Sequence, residues 1–263
     1  MRENGLKTMW AEGRAAVNGW LGIPSAAATE NMAQAGWDSL TVDMQHGLVD
    51  YQAAVSMLQA ISLSDSTPLV RVPWNEPGII MKLLDAGAYG VICPMVNSPE
   101  EAEAMVRAMR YPPDGERSFG PARAAWYGGA DYAEKANETL LALPMIETRR
   151  AVESLDAILA TPGVDGIYVG PADLGLSYGY PARGDRDEPE LREIIRGIAE
   201  TAEKHGKAAG IHCGAPAYAR EMIEWGFKLV TVQADSMLLN SAARRAVALT
   251  RDGEAGGDGG GLY

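Results

Sequence analysis

Eight short apolar runs, separated by segments of helical pattern, constrain this chain more than any other feature. They are AVNGWLGI (16–23), WDSLTVDM (37–44), TPLVRVP (67–73), YGVICPM (89–95), LLALPMIE (140–147), VDGIYVG (164–170), KAAGIHC (207–213) and KLVTVQA (228–234). Their apolarity is near-continuous rather than alternating, which suits parallel strands covered on both faces. The intervening segments carry helix signals. In SPEEAEAMVRAMRY, Ser98 suits a cap, Pro99 suits the first turn, and Ala102, Met105, Val106 and Met109 share one face. Pro162 and Gly163 close the helix before the sixth run. Eight β-then-α units in roughly 250 residues are what a closed (β/α)8 TIM barrel requires. A doubly wound sheet competes, but no G-x-G-x-x-G follows the first run, which weakens its dinucleotide-binding version. Gly19 makes the first strand the weakest of the set.

No long composition break divides the units, so residues 1–251 are expected to form one barrel domain. The stretch DGEAGGDGGGLY, from Asp252 to Tyr263, reads as a disordered Gly-rich tail. Lys and Arg number 23 against 35 Asp and Glu, a net charge of -12. Such a surface repels phosphate backbones, and no basic run offsets it, so nucleic acid is not an expected partner. An acidic substrate would need a local cation or a metal. Cys93 and Cys213 each lie in an apolar run and read as buried free thiols. MRENGLKTMWAEGR lacks the apolar core of a signal peptide, and no stretch approaches the length of a membrane span. A soluble cytoplasmic protein is the expectation.

In such a barrel the working groups sit at the carboxyl ends of the strands. Those ends carry a polar set: Asp43-Met44-Gln45-His46, Arg71, Glu147 and Asp173. Taken singly, each has a plain structural use. Glu147 can start a helix, Asp173 can cap one, and His46 can be a surface or supporting group. Taken together, Glu147 and Asp173 end neighbouring strands and can converge. Two converging anions repel unless a cation lies between them. A hard divalent ion with oxygen ligands answers that need, and Mg2+, Mn2+ or Co2+ would fit. No Cys₄ or Cys₂His₂ spacing indicates structural zinc. Arg71, flanked by valines, requires an anionic partner from protein or substrate. His212 can be core or mouth-lining, and His205 reads as a helix end.

The stretches WDSLTVDMQHG, PLVRVPWNEPGIIMKLLDAGAYGVICPMVNSPEEAE, RYPPDGERSFGPARA, MIETRRAV and VDGIYVGPADLGLSYGY resemble the metal-dependent class II pyruvate aldolases of the HpcH/HpaI group. The likeness runs from Trp10 to Leu249, and its nearest named members are 4-hydroxy-2-oxoheptanedioate and 2-dehydro-3-deoxyglucarate aldolases. The resemblance implies a barrel of the phosphoenolpyruvate/pyruvate-domain type, with metal held by Glu147 and Asp173 and pyruvate chelating the same ion. His46 matches the family's base, and Asp85 an acid that supports it. Arg71 matches the residue that binds the keto oxygen. Ala172, beside Gly170 and Pro171, falls where a backbone N–H meets the pyruvate carboxylate. Trp20 falls at an aromatic wall near substrate. Members form homo-hexamers, often with an exchanged C-terminal helix. This chain departs from the pattern at Gln45, where an acid usually stands beside the base, at Met145, where relatives carry a substrate-contacting Gln, and in GLVDY after His46. These changes spare the enolate machinery and bear on the acceptor aldehyde.

The implied activity is reversible cleavage of a 4-hydroxy-2-oxo acid to an aldehyde and pyruvate, or a close 2-oxo acid such as hydroxypyruvate. Arg71 would stabilise developing enolate charge and His46 would move the proton. A Schiff-base route looks poor, since Lys207 and Lys228 lie at strand beginnings and Lys82 on a helix. Oxaloacetate decarboxylation through the same enolate is one alternative, and a non-catalytic oxo-acid-binding barrel is another. Arg123, in SFGPARA, is a candidate contact for an anionic acceptor or a salt bridge between subunits.

Overall fold

Every apolar run becomes a strand slightly shorter than the run itself. The strands are β1 Ala16–Leu21, β2 Ser39–Asp43, β3 Thr67–Arg71, β4 Gly90–Cys93, β5 Leu141–Ile146, β6 Gly166–Val169, β7 Ala208–Cys213 and β8 Leu229–Ala234. All pair in parallel in chain order, and β8 returns to β1 to close a (β/α)8 barrel. The structure, a computed structural model, describes residues 1–252. The expected Gly-rich tail lies outside the described residues from residue 253 on; Asp252 itself ends the last helix.

Period-two alternation divides the strand residues between two packing zones. Leu69, Ile92, Leu143 and Leu229 fill the barrel interior, and Leu6 from the helix Gly5–Ala11 joins them. Residues such as Val42, Val70, Val91, Ile167 and Ile211 face outward and are covered by helices. Each fully buried aliphatic side chain contributes about 1.5–3 kcal/mol relative to exposure. Gly19 stays within β1 and pairs with Leu40 of β2, while the register to β8 shifts between Asn18 and Trp20. A Cβ there would lie 2.6 Å from Leu40 Cδ2 and 3.0 Å from the Trp37 ring, so the glycine makes room for its neighbours.

A polar layer crosses the interior midway along the barrel. Asn18 Oδ1 accepts from Ser39 Oγ at 2.8 Å and Thr41 Oγ1 at 3.1 Å, while Asn18 Nδ2 donates to Thr231 Oγ1 at 2.8 Å. The Tyr168 hydroxyl is hydrogen-bonded to the same Thr231 oxygen at 2.6 Å. Mutually satisfied buried groups of this kind hold a single geometry. This layer forms a rigid floor beneath the carboxyl ends of the strands.

The helix signals act locally as read. Ser98 Oγ accepts from the Glu101 amide, Pro99 opens the helix Pro99–Met109, and Ala102, Met105, Val106 and Met109 are buried. Cys93 and Cys213 are free and buried. Among the described residues no helix is long and apolar enough to cross a membrane. The last helix, Asp235–Asp252, leaves Met237, Leu239 and Val247 exposed.

Candidate active site

A cavity of about 170 Å³ opens at the carboxyl end of the barrel. His46, Arg71, Glu147, Gly170, Pro171, Ala172 and Asp173 all line it, together with Met145, Tyr168, Gly184 and His212. Residues from six strand ends and loops thus reach one small space.

The partner that Arg71 requires is Asp43. Register places Asp43 of β2 directly beside Arg71 of β3. Arg71 Nε donates to Asp43 Oδ1 at 2.8 Å and Nη2 donates to Oδ2 at 2.6 Å, a bidentate fork. Burial pushes the Asp43 carboxyl up, but the Arg71 hydrogen bonds and charge, Trp20 and the Gln45 amide outweigh it and hold the group below its ordinary range. The guanidinium lies 4.8 Å above the Trp20 ring. Nη1 makes no hydrogen bond among the described residues. The same Asp43 Oδ1 accepts from the amides of Gln45 and His46, at 3.0 and 3.3 Å, and so turns the chain after β2. A Cβ on Gly47 would overlap the Asp43 carbonyl oxygen, so that turn requires glycine.

Glu147 follows β5 and is only 2% exposed. Its Oε1 accepts from the Met95 amide at 2.7 Å. Met95 itself sits at φ 56°, a left-handed conformation that non-glycine residues rarely adopt. Burial drives the Glu147 carboxyl up to about 7; the Met95 amide opposes this, the Asp173 charge adds to it, and Arg71 opposes. Asp173 is the third residue of the helix Pro171–Ser177, which no side chain caps. Its capping role, open from sequence, is therefore not taken up. The uncapped first turn leaves amides free for an anion.

This pair fits a divalent cation. Two carboxylates share one cavity, the Asp173 charge disfavours that of Glu147, and a cation between them would relieve it. Among the described residues no third His, Cys, Asp or Glu joins them to form a protein-only ligand set, which leaves positions for water and substrate oxygens. Gly170 provides the space: a Cβ there would lie 2.5 Å from Glu147 Oε2 and 3.0 Å from Met145 Cε. Gly170→Ala is expected to weaken Mn2+ binding by at least about tenfold, at an overpacking cost of about 1–3 kcal/mol. Calorimetric titration of the variant checks this.

Four of the expected site residues lie off the cavity lining within the described chain. Asp85 does not support His46 within the chain. It ends the helix Pro77–Asp85 outside the barrel wall, and its Oδ1 accepts from Arg117 Nη2 at 2.6 Å. Arg117 is fully buried against the Tyr111 and Tyr132 rings and needs that carboxylate. Arg123 lines no part of the cavity. It donates to the carbonyls of Ala86 and Leu58 and to Ser62 Oγ, tying two helix ends together. Trp20 is 3% exposed and lies beneath Arg71 rather than beside a substrate, with Nε1 donating to Asp43 Oδ2 at 3.1 Å. Gln45 also stays off the cavity lining, and its Oε1 is buried without a partner. The sequence reading passed over Tyr168 and Gly184 and left His212 open. Tyr168 and Met145 stand two positions before Gly170 and Glu147, so the inward alternation of β5 and β6 signals both.

Residues 18–242 match the model of the HpcH/HpaI aldolase/citrate lyase family. A hydroxypyruvate/pyruvate aldolase of Rhizorhabdus wittichii is 43% identical over 248 residues, covering 94% of this chain and 99% of the relative. A 4-hydroxy-2-oxo-heptane-1,7-dioate aldolase of Escherichia coli is 39% identical over 249 residues, 94% of each chain. The crystal structure of an HpcH/HpaI aldolase/citrate lyase family protein from Burkholderia cenocepacia superposes with a TM-score of 0.88 at 36% identity, covering 94% of this chain and 99% of the other.

Proposed function

Because the chain belongs to the HpcH/HpaI aldolase/citrate lyase family, we propose that it is a divalent-metal-dependent aldehyde-lyase. It reversibly cleaves 4-hydroxy-2-oxo acids to an aldehyde and pyruvate or a close 2-oxo acid such as hydroxypyruvate. One observation carries this reading: the buried Glu147 carboxyl, raised to about 7, shares a small cavity with Asp173, Arg71 and His46.

The obstacle is removal of a proton from a carbon that is a far weaker acid than imidazolium. A divalent cation held by Glu147 and Asp173 would supply Lewis-acid polarisation of the keto group. Arg71 places positive charge where the keto oxygen becomes negative, and the Asp43 fork fixes its orientation beforehand. The free amides of Ala172 and Asp173 take the substrate carboxylate. His46 removes the C3 proton, directly or through water. The resulting enolate carbon forms a bond to the aldehyde carbon, and the aldehyde oxygen gains the proton. Cleavage retraces these steps.

The exposed apolar residues of the helix Asp235–Asp252 support assembly as a homo-oligomer, a hexamer by family pattern. Chelator-treated protein is expected to lose at least about 10²-fold in kcat, and Mg2+, Mn2+ or Co2+ to restore it. Rates of pyruvate release from a 4-hydroxy-2-oxo acid test the proposal. Full turnover by metal-free protein overturns it.

A further inference from the structure

The cavity contains a second imidazole that this chemistry does not use. His212, on β7, lines the cavity, and its ring meets Trp20 edge-on with centroids 5.0 Å apart. Its Nδ1 lies 3.5 Å from the Tyr168 hydroxyl. That hydroxyl is hydrogen-bonded to Thr231 Oγ1 at 2.6 Å, to which Asn18 Nδ2 also donates. The Asn18 amide cannot turn over, because its Oδ1 already accepts from Ser39 and Thr41. Asn18 therefore only donates to Thr231, but either hydroxyl of the Tyr168–Thr231 pair can donate to the other, so the pair serves His212 Nδ1 in either tautomer. Nε2 makes no hydrogen bond among the described residues. Burial, then the Arg71 charge, hold His212 down at about 4 against the pull of Asp43, so the ring is neutral at physiological pH.

A neutral imidazole with an unpartnered nitrogen has nothing to offer a methyl group. With the donor carboxylate at the Ala172 and Asp173 amides and its keto oxygen toward Arg71, the lining side chains left to meet C3 are those of His46, Met145, Tyr168 and His212. We propose that His212 is a specificity-determining residue whose Nε2 hydrogen-bonds a hydroxyl on C3 of the donor, so that hydroxypyruvate is used in preference to pyruvate. The assignment rests on the aldolase reading above. A site that pairs a substrate hydroxyl discriminates strongly, because the analogue lacking the hydroxyl leaves the protein's polar atom unpaired.

The test is the ratio of kcat/KM for hydroxypyruvate to that for pyruvate, each added to glycolaldehyde by Mg2+-loaded protein. Wild type, His212→Leu and His212→Gln are compared. Leucine removes the polar atom, whereas the glutamine amide returns a hydrogen-bonding group near the place of Nε2. The ratio is expected to fall at least about tenfold with leucine and to return to within about threefold of wild type with glutamine. His212→Asn, too short to reach that place, is expected to behave as leucine does and stands in should leucine prevent folding. A ratio unmoved by leucine and asparagine, or one that glutamine fails to restore, overturns the assignment. Wild type that adds neither donor strikes the aldolase reading instead. Calorimetric Kd values for the two acids then decide, and a Kd ratio that His212→Leu leaves unmoved overturns the assignment on its own.

Discussion

Replacing Arg71 with methionine is expected to lower kcat by about 10³-fold and to destabilise the protein by about 3–5 kcal/mol. These two losses have different causes and separate in a second variant. The catalytic loss follows from removing the positive charge that faces the developing oxyanion. The stability loss follows from Asp43, which is 3% exposed and held ionised chiefly by the Arg71 fork. Without that fork it is a buried charge, left with one indole and two backbone amides. Asp43→Asn combined with Arg71→Met removes the charge while keeping the shape. Urea unfolding is expected to place the double variant within about 1 kcal/mol of wild type, with kcat still depressed. Recovery of turnover along with stability would reduce Arg71 to a scaffold residue.

The Glu147→Gln variant is expected to lose cation binding and yet to be more stable than wild type when both are metal-free above pH 7. A carboxyl with a folded pKa of about 7 against an ordinary 4.5 binds more protons folded than unfolded throughout that interval. Stability of the metal-free protein therefore falls as pH rises from about 4.5 to 7, by up to about 3 kcal/mol, and the full penalty stands above that. Glutamine is neutral at every pH and its Oε1 still accepts from the Met95 amide. Tm measured at pH 5 and pH 8 checks the sign: wild type declines and the variant does not. Mn2+ is expected to raise Tm at pH 8 in wild type alone. Equal stabilisation of both by Mn2+ would remove Glu147 from the ion's surroundings.

The barrel was legible because parallel strands covered on both faces must be apolar throughout, and helices supply the spacing. Even Gly19, the weakest point, sits in a strand, since what looks like a break is space for Leu40 and Trp37. Glu147 and Arg71 stood out for the same reason: an apolar run has no packing use for a charge. What the sequence concealed was pairing. Asp43 opposite Arg71 depends on strand register, and Asp85 with Arg117 depends on a contact between residues 32 apart in the chain. Arg123 resembles a substrate contact in sequence because a helix-terminating arginine and a ligand-binding one share composition; only the carbonyls it meets distinguish them. The neutrality of His212 and the left-handed Met95 that feeds its amide to Glu147 are products of burial and backbone geometry, and neither leaves a motif.

Pyruvate in D2O, mixed with Mn2+-treated or Mg2+-treated protein and followed by NMR, tests the core of this account without an aldehyde. Deuterium is expected to replace the methyl protons with wild type plus metal, and to fail to do so with Glu147→Gln, with Arg71→Met or after chelation. A methyl signal that persists with fully loaded wild type, or that vanishes equally fast once metal is removed, contradicts it.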